Sequence, residues 1–292
     1  MRVALLSKIV HSLRAKTISR RTTPNAMPKF TTFDGTTLHY KTTGFDNDGD
    51  VLVFLNGMTQ STAHWNSQAK AFAEAGYRVL TYDARGQGDS ELGDAELTLD
   101  QHAHDLDALL DELEVDRAHL AGFSHGARIA LGVANYHADR LGKLVLCSAT
   151  ARPTALARTI VRAWHGVLTN GGLTAMSWSA LPTILGNNFL EKNENILKGI
   201  VRASVQRNSE EGVRALLEAM MDYPDLSDLA KNVSTPTLVV SADKDLLVTP
   251  EGARELAELA GGEHALVTGV GHTIPIEAPE EFRRLVREFL ER

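Results

Sequence analysis

The chain has 292 residues, 43% hydrophobic and 23% charged, the composition of an ordinary globular protein with room for a sizeable core. Its 37 acids against 30 Lys and Arg leave a formal charge of −7, which argues against a nucleic-acid partner because phosphate binding needs a basic face. Cys147 is the only cysteine, which excludes an internal disulfide and a Cys-rich zinc site and fits a reducing, cytoplasmic setting.

The first 26 residues differ from the rest. They carry Arg2, Lys8, Arg14, Lys16, Arg20 and Arg21 and no acid. Leu5, Leu6, Ile9, Val10 and Leu13 recur at helical spacing, so a basic amphipathic helix is expected. The apolar run is too short for a secretory segment, and nothing in the sequence approaches a membrane span. A membrane-surface helix, an organelle-targeting segment and a flexible arm ahead of Met27 are all open, and the flexible arm is the simplest reading.

From residue 36 strands and helices alternate. "TTLHYKTTG" alternates like a half-buried strand, and "VLVFLN" (51–56) is a continuous apolar run, as in a strand covered on both faces. "AHWNSQAKAFAEAG" predicts a helix closed by Gly76, and "YRVLTYDA" the next buried strand. "TLDQHAHDLDALLDELE" predicts an amphipathic helix with Leu99, Leu106, Leu109, Leu110 and Leu113 on one face. "RAHLAGF", "HGARIALGVANYH" and "GKLVLCSA" read as strand, helix and strand. Residues 150–234 hold only helical stretches, with breaks expected at "NGG" (170–172) and around Pro182 and Pro224. "TPTLVVSA", "PEGARELAELA", "EHALVTG" and "PEEFRRLVREFLER" then restore the rhythm. Such alternation predicts an α/β fold, a mostly parallel central sheet flanked by helices and interrupted by a helical insertion. The expected division is an arm (1–26), a core (27–149 and 235–292) and the insertion (150–234).

"GFSHG" (122–126) sets Ser124 between the end of one predicted strand and the start of a helix. The G-x-S-x-G pattern is weak alone, but strand–turn–helix is the context that a nucleophile elbow requires. A serine nucleophile needs a base, and the base an orienting acid. "SADKD" and "GVGHTIP" each follow a late strand and offer Asp243 or Asp245 as the acid and His272 as the base. "HAHD" (102–105) is expected to be a solvated helix face rather than a metal site, since helical residues two apart cannot share an ion. Cys147 reads as core packing.

"DARGQGDS" (83–90), "GFSHG" and "GVGHTIPIEAPEEF", in that order, resemble the α/β-hydrolase superfamily, in its single-domain branch with a helical cap. The resemblance runs from about residue 28 to the C-terminus. It implies a cap inserted after the sixth strand, a Ser124–Asp245–His272 triad, no cofactor or metal, and a small-molecule acyl substrate. Asp245 is preferred over Asp243 because it lies three residues past Ala242, which stands where the family has glycine. In "LNGMT", Asn56 replaces the family's histidine while Gly57 remains, so the implied oxyanion hole is the backbone N–H groups of Met58 and His125. Serine at the elbow argues against the dehalogenase and epoxide-hydrolase relatives, and the lack of an "HGGPG"-like loop against the iminopeptidase branch. The implied function is a serine hydrolase cleaving a carboxylic ester, lactone or thioester through an acyl-enzyme at Ser124. Acyl transfer, a lyase reaction and a non-catalytic receptor are the alternatives. Trp164, Met176, Trp178 and Phe189 are the candidate pocket residues.

Overall fold

The apolar runs of the sequence become the middle strands of one eight-stranded sheet. The computed structural model describes residues 28–292, so the expected basic helix and arm of residues 1–26 lie outside the described residues. The strands are β1 (Lys29–Thr31), β2 (Thr37–Thr43), β3 (Val51–Leu55), β4 (Arg78–Tyr82), β5 (Ala118–Phe123), β6 (Leu141–Cys147), β7 (Thr237–Ala242) and β8 (Glu263–Val267). They lie in the order β1-β2-β4-β3-β5-β6-β7-β8. β1 and β2 pair antiparallel, as do β2 and β4, and every other pair is parallel. β3, β5 and β7 are buried at every position, which is why they read as unbroken apolar runs. The three-residue β1, "KFT", is too short to leave a pattern.

The helices are α1 (Asn66–Glu74), α2 (Leu99–Glu112), α3 (His125–Tyr136), α4 (Ala155–Ile184), α5 (Asn187–Asn193), α6 (Leu197–Arg207), α7 (Glu210–Asp222), α8 (Ser227–Lys231), α9 (Pro250–Leu259), α10 (Ile274–Glu277) and α11 (Pro279–Leu290). Leu106, Leu109 and Leu110 of α2, Ile129 and Val133 of α3 and Leu256 of α9 fill one face of the sheet. Trp65, Phe72 of α1, and Phe282 and Phe289 of α11 fill the other, where Cys147 also packs. Among the described residues no helix is long and apolar enough to cross a membrane.

Helices α4 to α7 follow β6 and form the cap. Trp164, Leu168 and Met176 of α4 pack on Val213 and Leu217 of α7, giving the cap its own small core. The break expected at "NGG" is a kink instead. Gly172 takes φ 74°, which glycine alone adopts readily, and α4 resumes beyond it. Pro182 lies inside the last turn of α4 without ending it, whereas α7 stops at Asp222, two residues before Pro224.

The expected solvated face at "HAHD" is incorrect. His104 is exposed, but His102 and Asp105 are buried. Asp105 accepts from Arg85 Nε at 2.5 Å and Nη2 at 2.7 Å, and Arg85 also donates to Asp34 at 2.8 Å and Thr36 Oγ1 at 2.8 Å. The fully buried Arg85 thus ties the turn after β4 to α2 and to the β1–β2 loop. His102 sits edge-on to the His125 ring at 5.4 Å. Burial pulls the His102 pKa from 6.5 to about 4, and pulls that of His125 well below 6.5.

Two stability outcomes are expected. Arg85→Met strands the Asp105 carboxylate in the interior, so unfolding in urea should show a loss of about 3–5 kcal/mol, the scale for breaking a buried pair. His102 and His125 are neutral in the folded protein but take protons near pH 6.5 once unfolded. Their contribution to stability is therefore present above pH 6.5 and is lost as pH falls, for His102 down to about 4. The limiting slope is about 1.4 kcal/mol per pH unit for each histidine. Urea midpoints measured between pH 7.5 and 5 should fall, and fall less in His102→Phe. Equal slopes in the two proteins would contradict the neutral, buried state of His102.

Candidate active site

Strand β5 ends at Phe123 and α3 begins at His125, so a single residue must reverse the chain. Ser124 does so with φ 52° and ψ −112°, a conformation unfavourable for any residue with a Cβ. Close backbone approach on both sides makes this turn. A Cβ on Gly122 would meet the Gly126 carbonyl and Ala127 Cα, and one on Gly126 would meet the carbonyls of Leu55 and Asn56. The Ser124 N–H donates to Cys147 O at 2.8 Å, which fixes the elbow to the end of β6.

His272 follows β8. Its Nε2 lies 2.9 Å from Ser124 Oγ, and its Nδ1 lies 2.7 Å from Asp245 Oδ2. An ionised carboxylate only accepts, so Nδ1 carries the proton and Nε2 is left to accept from the serine hydroxyl. The Asp245 side chain is fully buried, and its Oδ1 accepts the N–H groups of Leu247 at 2.8 Å and Val248 at 3.0 Å. Asp243 faces elsewhere. Its Oδ1 accepts the Gly269 N–H at 2.6 Å and its Oδ2 pairs with Lys244 at 3.1 Å. Ala242 in place of glycine leaves the strand end undisturbed, paired in register with Val267. The Ser148 hydroxyl, at the end of β6, donates to the His272 carbonyl at 2.7 Å and holds that loop against the sheet.

The departure at Asn56 is absorbed below the loop. Asn56 is buried, donates to Tyr82 O and Asp83 Oδ1 at 3.0 Å each, and accepts from the Trp65 indole N–H at 2.9 Å. The loop itself is held by two glutamines. Gln60 Oε1 accepts the Gly57 N–H at 3.0 Å, while Gln87 Nε2 donates to the carbonyls of Gly57 at 3.0 Å and Met58 at 3.3 Å. No acceptor among the described residues takes the Met58 N–H. The His125 N–H, in the first turn of α3, has no intrahelical acceptor. Gln60, Gln87 and Ser148 escaped the sequence reading because none carries chemistry of its own. Only the place of Gln87 inside "DARGQGDS" hinted at a role.

His39, Asp83 and Asp89 form a cluster with metal-ligating atoms close together. Asp83 is already engaged by His39 Nδ1 at 3.0 Å, Asn56 Nδ2 at 3.0 Å and the N–H groups of Thr62 at 2.7 Å and Asp89 at 3.1 Å. Those contacts make it a knot under the loop rather than a free ligand set.

A cavity of about 700 Å³ lies between the cap and the C-terminal strand ends and reaches Ser124 and His272. Trp164, Met176 and Phe189 line it, as do Leu181, Ile184 and Met221. Trp178 does not line it and is 44% exposed, which corrects the expectation. Two residues along a helix turn its face by about 200°, so Met176 and Trp178 cannot share one wall.

The fold recurs in other proteins. The chain is 30% identical over 260 residues to RutD of Variovorax paradoxus, covering 87% of this chain and 96% of that protein. It is 25% identical to 3-oxoadipate enol-lactonase 2 of Acinetobacter baylyi, covering 87% of this chain and 93% of that one. The crystal structure of the enol-lactonase from Burkholderia xenovorans LB400 superposes with a TM-score of 0.83 at 29% identity, over 91% of this chain and all of that one. A family model described as serine aminopeptidase, S33, matches residues 47–279. The chain belongs to that family and is an enzyme of the α/β-hydrolase fold, of the serine hydrolase class.

Proposed function

We propose that Ser124, His272 and Asp245 are the catalytic triad of a hydrolase that cleaves a carboxylic ester, lactone or thioester. The observation that carries this reading is the unbroken line from Asp245 Oδ2 through the imidazole to Ser124 Oγ, with steps of 2.7 and 2.9 Å, at the cavity wall. Ser124 Oγ attacks the acyl carbonyl while His272 Nε2 takes its proton. Asp245 keeps the proton on Nδ1 and stabilises the imidazolium as it forms. The N–H groups of Met58 and His125 receive the oxyanion, the latter aided by the positive end of the α3 dipole. His272 then protonates the leaving oxygen or sulfur, and water, activated by the same imidazole, releases the acyl group.

An ester-like substrate is favoured over a peptide with a free amino terminus. Recognising an ammonium group calls for a free carboxylate, and among the described residues the one acid on the cavity wall, Asp225, is paired with Arg152 at 2.9 Å. The relatives named as enol-lactonases point the same way. We assign residues 150–234 as the cap, which supplies most of the apolar wall that would hold the substrate.

Asp245→Asn should lose on the order of 10⁴-fold in kcat on an activated ester, because the amide favours the wrong imidazole tautomer. Asp243→Asn should stay within a few-fold, since Asp243 bonds to Gly269 and Lys244. Steady-state kinetics on p-nitrophenyl butyrate, with thermal melts to confirm folding, decide between them. A severe loss at Asp243 with Asp245 nearly silent would overturn the assignment.

A further inference from the structure

The charge on the cavity wall is one-sided. Among the described residues, Arg128, Arg152, Arg158, Arg162 and Arg207 line it against the single acid Asp225. Arg152 is paired with Asp225 and with Glu255, and Arg158 donates to the Pro153 carbonyl at 2.6 Å. Arg158, Arg162 and Arg207 are exposed to water. Arg128 is different. It stands on α3, four residues past Ser124, and is only partly exposed. Among the described residues no carboxylate, carbonyl or hydroxyl accepts a hydrogen bond from its guanidinium.

Among the described residues no carboxylate pairs with it. His125 is held neutral by burial, and burial pushes the Tyr223 phenol up so that it stays protonated, its hydroxyl lying 3.1 Å from His125 Nε2. Burial also lowers the Arg128 pKa, yet a guanidinium remains protonated in any protein interior. A partly desolvated guanidinium at the cavity wall with no hydrogen-bond acceptor is poorly satisfied, and a ligand that supplies a carboxylate offers it one on binding.

We propose that Arg128 anchors a carboxylate on the substrate, so that the preferred substrate is an anionic ester, lactone or thioester held with its carboxylate inside the cavity. The proposal rests on the hydrolase reading above and names the substrate class of that same site. The planar fork of an arginine fits a carboxylate through two parallel hydrogen bonds, which the point charge of a lysine does not reproduce. The exposed arginines raise the local concentration of anions at the mouth. Apolar walls formed by Trp164, Met176 and Leu181 suit the carbon chain between carboxylate and scissile carbonyl.

The test compares kcat/KM for p-nitrophenyl butyrate with that for the p-nitrophenyl monoester of glutaric acid, which adds only a terminal carboxylate. The ratio of acidic to neutral ester should fall about 100-fold in Arg128→Met, the scale of a charge-assisted hydrogen-bonded pair, and by a smaller factor in Arg128→Lys. Calorimetric titration of glutarate into Ser124→Ala protein reads the same anchor without turnover. Binding should weaken at least tenfold when Arg128→Met is added. An unchanged ratio in both Arg128 variants, together with unchanged glutarate affinity, would overturn the anchor even if ester hydrolysis is intact. Arg128-dependent glutarate binding by a wild-type protein that turns over neither ester would overturn the hydrolase reading and leave the anchor standing.

Discussion

The strained backbone of Ser124 is the constraint on which the rest of the site depends. A residue with a Cβ at φ 52° carries a local penalty on the order of 1–3 kcal/mol, and the surrounding structure must over-determine it. It does so by crowding. Gly122 lies against Gly126 and Ala127, Gly126 lies against the end of β3, and the Ser124 N–H is held by Cys147. The reward is geometric, since the turn lifts the hydroxyl clear of the sheet and aims the first turn of α3 at the same point. The parallel sheet completes the arrangement. Chain segments leaving the C-terminal ends of β3, β5, β7 and β8 deliver Met58, Ser124, Asp245 and His272 to one edge.

Much of this was legible in the residues because the physics involved is local. Runs such as "VLVFL" and "TLVVSA" announce strands covered on both faces, and "GFSHG" between a strand and a helix announces an elbow. What escaped needs knowledge of the partner. Nothing in "HAHD" says that Asp105 will meet Arg85, twenty residues away, so a pair of polar side chains read as solvated is in fact buried. Strand β1 exists only because β2 pairs with it. Gln60, Gln87 and Ser148 act through backbone groups of loops whose shape no sequence pattern declares. Trp178 was placed on the cavity by composition, where the helical period would have set it on the opposite side from Met176.

The cap walls the cavity beside the candidate reacting groups. Its kink at Gly172 folds α4 back so that Trp164 and Met176 share a small core with α7 while both also face the cavity. The sheet edge presents the candidate reacting groups, α3 presents Arg128, and the cap contributes most of the apolar wall. Such a division lets substrate choice change with the cap while the triad stays fixed. Within a chain of net charge −7, five arginines line this cavity, a local charge opposite in sign to that of the whole and consistent with the proposed anionic substrate.

The central claim is that Ser124 is a nucleophile made reactive by His272, and covalent trapping tests it most directly. The protein is treated with a fluorophosphonate ester, and the modified site and labelling rate are read by intact mass and peptide mapping. One adduct per chain is expected, on the peptide carrying Ser124, with labelling slowed by orders of magnitude in His272→Ala. An adduct on another residue, or labelling of Ser124 at the same rate without the imidazole, would contradict it.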